Sequence, residues 1–104
     1  MTLSETTPMR RLNNSLTNHN LWLYVLAILS KKRIHAYGFG AELRDRFGWN
    51  HGLITTYVVL YKLEAEGFII ATQEERRKYY TITPKGKQIL AEAKEYLTDL
   101  SGRL

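Results

Sequence analysis

The 104-residue chain contains no cysteine, which excludes a disulfide framework and any thiolate metal site and fits a reducing compartment. It has two prolines, Pro8 and Pro84, and each stands where a helix can open. Its longest apolar run, LWLYVLAIL at residues 21–29, is far shorter than the ~20 residues that a bilayer span takes. That run has no small-residue cleavage site after it and lies too deep in the chain for a typical signal peptide. The expectation is a cytoplasmic protein without a membrane partner. Acid is also missing where it would be conspicuous: between Arg76 and Lys87 there are five cations and no carboxylate.

What is present is a globular composition, 44% hydrophobic, in a chain short enough for one domain. A domain of this size buries a modest core and often gains stability by self-association. The net charge is +5 and the isoelectric point about 9.6, a balance that suits a polyanionic partner. The cations cluster at Arg76, Arg77, Lys78, Lys85 and Lys87, and again at Lys31, Lys32 and Arg33. The second cluster follows the apolar helix of residues 21–29. There it serves either to oppose the helix dipole or to meet phosphate, and Lys32 and Arg33 are carried forward as phosphate candidates.

Hydrophobic periodicity predicts the elements. Met9, Leu12 and Leu16 give a short amphipathic helix over residues 8–17, which needs another surface to rest on. A helix from Asn18 or Asn20 to about Ser30 is apolar almost all round, so one side of it is expected to meet another chain. A helix over residues 36–47 follows, with Phe39, Leu43 and Phe47 as its stripe. A further helix over residues 53–66 is stopped by Gly67. On that helix Leu53, Tyr57, Leu60, Leu63 and Glu64 read as inward, and Ile54, Thr55, Val58, Tyr61 and Lys62 as outward. FIIAT and KYYTIT then read as an antiparallel hairpin joined through QEERR. Thr83 and Pro84 start a last helix with Ile89, Leu90, Ala93, Leu97 and Leu100 on one face.

Helices followed by a two-stranded ribbon and a closing helix make a mainly α, winged helix-turn-helix plan. Its parts are an N-terminal arm or short helix (1–17), a DNA-binding domain (18–83) and a C-terminal dimerisation helix (84–104). The helix of residues 53–66 is of a size to enter a major groove. Its candidate contacts are Thr55, Thr56, Val58, Tyr61 and Lys62. Arg76, Arg77 and Lys78 supply donors for phosphate oxygens, with one of Tyr79 and Tyr80 packed inward and the other, taken as Tyr79, free for the backbone. Each candidate has a plainer role: Thr55 and Thr56 as helix-entry caps, Lys62 as a solvated lysine, Val58 and Tyr61 as isolated exposed apolar residues. Glu74 and Glu75 would repel phosphate and keep the wing tip off the backbone. The dimer contacts expected are Leu21, Trp22 and Val25 with Leu90, Ala93, Leu97 and Leu100.

No metal is expected, because His19, His35 and His51 have no helical pairing and no cysteine to help them. GFGAEL lacks the third glycine and preceding strand of a dinucleotide site. No set of nucleophile, base and orienting group is visible, so neither an enzyme nor a cofactor is predicted. Trp22 and Trp49 read as core or interface anchors, or as the lining of a ligand pocket.

Residues 21–100 resemble the PadR family of transcriptional regulators. The matching residues are His35 and Tyr37 in HAYGF; Tyr57, Leu60, Leu63, Glu64, Gly67, Phe68 and Ile69 in YVVLYKLEAEGFI; and Arg77, Lys78, Tyr79, Tyr80, Thr83 and Gly86 in RKYYTITPKG. The resemblance implies a winged helix that dimerises through its C-terminal helix, often with the N-terminal one. It implies double-stranded DNA as partner, repression as the usual action, and in some members a small aromatic or drug-like effector. The chain departs from the family at Ala36, where a glycine is usual, and at GLIT (52–55), where a Ser-Pro-Gly-Thr-like turn is usual. Two other readings of the same plan stay open: a non-specific architectural DNA-binding protein and a winged-helix protein–protein interaction module.

Overall fold

The computed structural model describes residues 2–104. A short 3-10 turn (Leu3–Glu5) leads into α1 (Thr7–Thr17), then α2 (Leu21–Leu29), β1 (Ile34–His35), α3 (Gly38–Phe47) and α4 (Leu53–Ala65). The wing strands β2 (Ile69–Glu74) and β3 (Arg77–Ile82) and the long α5 (Pro84–Arg103) complete the chain. The architecture is thus five helices with a small antiparallel sheet in the order β1-β3-β2.

The core lies where α2 meets α3, α4, α5 and the sheet. Val25, Leu26, Ile28, Phe39, Leu43, Leu60 and Ile69 are fully buried there. Burying each such side chain contributes about 2 kcal/mol. Tyr24 on α2 takes Phe47 and Trp49 edge-on, with ring centroids at 4.9 and 4.7 Å, and this ties the α3–α4 connection to the body. Trp49 is therefore a packing anchor. Trp22 also packs against the core, its indole N–H donating to Asn20 Oδ1 at 3.1 Å.

Two elements differ from their sequence reading. β1 was not anticipated: it adds Ile34 opposite Tyr80 and His35 opposite Tyr79, making β3 the central strand. Two residues are too few for any periodicity to show. The wing connection is also tighter than QEERR suggests. Gln73 pairs with Lys78 and Glu74 with Arg77, leaving only Glu75 and Arg76 as the turn. The ladder runs to Glu74 opposite Arg77 without glycine or proline in the turn. Glu75 takes φ 54°, an uncommon conformation for a residue with a Cβ.

The junction of wing and α5 is close-set. Thr83 alone separates β3 from α5. Its hydroxyl accepts from the Gly86 N–H at 3.1 Å and donates to the Gly67 carbonyl at 2.7 Å. Gly67 ends the turn after α4 at φ 82°. Lys85 Nζ donates to the Glu66 carbonyl at 2.6 Å. A Cβ on Gly86 would stand 2.2 Å from the Phe68 carbonyl oxygen and 2.7 Å from Ile82 Cγ1, so glycine is what lets α5 lie on the hairpin.

The ends of the chain are bare. α1 buries none of its residues, and Met9, Leu12 and Leu16 are exposed along its length. Tyr96, Leu97, Leu100 and Leu104 are exposed on the far part of α5. Among the described residues no helix is long and apolar enough to cross a membrane.

Candidate nucleic-acid interface

A cleft of about 590 Å³ opens between α4 and the wing. Tyr57, Tyr61 and Glu64 line one side and Gln73, Arg76, Arg77 and Lys78 the other, with Tyr37 at its edge. The cationic trio and the Tyr57, Tyr61 and Glu64 edge of α4 therefore share one concave surface, with Thr55 and Val58 outside it. Tyr61 and Tyr37 are both more than two-thirds exposed. Tyr80 closes the floor. Its burial pushes the phenol up, reinforced by Glu64 and Tyr57, so it stays neutral. Partial burial and the neighbouring Tyr37 phenol raise Tyr57 likewise.

Strand alternation divides the wing. Lys78 and Tyr80 lie on the face toward α4 and Tyr79 on the other with Glu74, while Arg77, at the end of the strand, borders the hollow on each face. On that outer face Arg33 reaches across from just before β1. It donates to both Glu74 oxygens at 2.7 Å and places its guanidinium 4.3 Å from the Tyr79 ring centroid. Arg33 holds the Glu74 carboxyl below its ordinary range, and Glu74 raises Arg33 in return. His35 meets Tyr79 edge-on at 5.8 Å, and its Nε2 is 3.2 Å from Arg77 Nη1. A guanidinium only donates, so Nε2 is the acceptor and the ring proton belongs on Nδ1, which has no partner among the described residues.

The other candidates separate. Thr55 and Val58 are exposed on α4, as is Ile54. Thr56 is a correction: it is 2% exposed and its hydroxyl donates to the Gly52 carbonyl at 3.3 Å, so it holds the helix entry and presents nothing outward. The inward stripe of α4 is Thr56, Leu60 and Leu63, rotated from the expected one, and it leaves Leu53 and Tyr57 exposed. Lys62 faces a different hollow, a groove of about 430 Å³ with Trp22, Val59, Phe68 and Ile89. Lys32 pairs with Glu42 at 2.5 Å, and Arg33 with Glu74, so both cations already have carboxylate partners.

Three expected dimer contacts are also corrected. Leu21, Val25 and Leu90 are at most 5% exposed in the single chain, because α2 and α5 pack on each other within it. Trp22 and Ala93 are half-buried, and Leu97 and Leu100 are open. Sequence reasoning missed Tyr57 as a cleft residue, and Arg33 and His35 as partners of the wing. The last two contacts span 41 and 42 residues, and no local signal announces them. Among the described residues no three potential metal ligands gather.

The family model for the transcriptional regulator PadR-like family matches residues 25–92. No curated protein matches the sequence. Among solved structures, the fold is similar to a PadR-like transcriptional regulator from Bacillus cereus, at 24% identity. That match covers 86% of this chain and 91% of the other, with a TM-score of 0.76. A PadR family transcription regulator from hypervirulent Clostridium difficile R20291 is 25% identical, over 79% of this chain and 91% of the other, with a TM-score of 0.72. Bacillus subtilis PadR, solved in complex with operator DNA, is 29% identical. That match takes in 69% of this chain and 45% of the other, with a TM-score of 0.63.

Proposed function

Since this chain belongs to the PadR-like family of transcriptional regulators, we propose that it is a dimeric, sequence-specific DNA-binding repressor. α4 enters the major groove, with Thr55, Val58 and Tyr61 toward the bases, and the wing follows the phosphate backbone through Arg76, Arg77 and Lys78. One observation carries this reading: α4 and the wing cations line the same cleft, so a single polyanion meets both. The solution of Bacillus subtilis PadR with operator DNA supports duplex DNA as the partner.

The exposed apolar rows of α1 and of the far part of α5 suit pairing with a second copy, through Leu97 and Leu100 with Ala93 and Trp22 at the margin. A two-fold dimer offers two α4 helices to a palindromic site. Residues 18–83 then act as the reading unit and 84–104 as the dimerisation helix. The groove beside Trp22 is the place for a small aromatic effector.

The test is selection of bound duplexes from a random pool, followed by affinity measurement at several salt concentrations. A specific regulator prefers its selected duplex about 10³-fold or more over random sequence. An architectural protein shows the salt dependence without the preference. A protein–protein module keeps its function when Arg76, Arg77 and Lys78 are neutralised.

A further inference from the structure

β1 and its preceding residue bring five side chains together around the outer face of the sheet: Arg33, His35, Glu74, Arg77 and Tyr79. We propose that Arg33 is a positioning residue for DNA binding, acting through Glu74 and Tyr79 without touching the nucleic acid. This rests on the reading of the wing as a DNA-binding element.

The argument is electrostatic and geometric. Glu74 pairs across the ladder with Arg77 and stands one residue from the turn that holds Arg76. A free carboxylate there would draw those guanidiniums to itself and oppose the approach of phosphate. Arg33 removes that choice. It engages both Glu74 oxygens at 2.7 Å, in the planar two-point geometry that only a guanidinium offers. Its guanidinium carbon lies 4.3 Å from the Tyr79 ring centroid, a cation–π contact that holds the side chain over that ring. With Glu74 occupied, Arg77 is left to His35 at 3.2 Å, a neutral partner that orients it without cancelling its charge. Arg33 thus adds a positive charge to a wing tip in which two glutamates already offset two of its three cations. A lone exposed ion pair adds little to stability. Its placement is better explained by what it keeps away from the phosphate-facing cations.

The experiment is a double-mutant cycle with Arg33→Gln, Glu74→Gln and both together. Affinity is measured on a duplex selected by the wild-type protein, across a range of salt. Arg33→Gln is expected to lower affinity about fivefold, Glu74→Gln to leave it near wild type, and the double variant to recover most of the loss. Circular dichroism and a thermal melt of Arg33→Gln alone show whether that variant is folded; a misfolded Arg33→Gln overturns the positioning role. If Arg33 touches a phosphate directly, the double variant stays as weak as Arg33→Gln and the salt slope falls by about one; that result overturns the proposal. Full affinity in Arg33→Gln also overturns it while leaving the DNA reading intact. A wild-type protein that binds no duplex removes both.

Discussion

The wing and the two terminal helices project from the same small core, but their side chains end differently. Around the wing several long side chains meet a partner: Arg33 with Glu74 and Tyr79, His35 with Arg77, Tyr80 with the core. On α1 and the far part of α5 the apolar rows are exposed and none of these side chains is buried among the described residues. Polar tips can complete one another across two strands. An apolar row is completed only by another apolar surface, so the first arrangement is finished in one copy and the second waits for a neighbour.

The sharpest way to break this contrast is at the junction between the two regions. Gly86→Ala forces a methyl group against the Phe68 carbonyl and Ile82. It is expected to cost about 3 kcal/mol in chemical denaturation. Next in size, replacing Arg76, Arg77 and Lys78 by glutamine should weaken duplex binding about a hundredfold and lower the salt slope by up to about three, in a titration series. Replacing Leu97 and Leu100 by glutamate should halve the sedimentation mass and reduce DNA affinity roughly tenfold through lost avidity. The monomer's helix content should be retained, because neither residue is in the core. Cutting the chain after Gly86 is the poorer test, since it also removes Leu90 from the core.

The smallest effect is one of pH. Arg33 depresses the Glu74 carboxyl, so the pair's contribution is fully present above the ordinary glutamate value of about 4 and is lost as pH falls through the lower folded value. Both side chains are about half exposed, so the thermal midpoint should barely move. Tyr79 ring resonances should shift in that acid window in the wild type and stay fixed in Arg33→Gln.

Much of this was legible in the sequence, and the reasons for the remainder are physical. Thr83 with Pro84 marked the start of α5, and Gly67 the end of α4, because caps act locally. The charge of the wing was plain from its acid-free stretch. The facing of α4 was not. Its residues are apolar on several sides, so periodicity did not choose between the row with Tyr57 and the row with Thr56, and packing against α2 decided it. Arg33 and Lys32 were read as free cations because the acids that hold them come from β2 and α3, brought near only by folding.

The single residue between β3 and α5 has a consequence for the spacing of the two α4 helices in the proposed dimer. With Thr83 bonded to both Gly67 and Gly86 and Leu90 packed in the core beside α2, the first turns of the long helix are fixed to the body and the rest projects as a stiff rod. A rod of twenty residues reaches about 30 Å. Tilting it by about 10° at its fixed end swings its tip by about 5 Å, more than one base-pair step. In the proposed dimer, whatever joins the tips of two such rods would set how many base pairs lie between the two α4 helices, and a loop at residue 83 would erase that ruler.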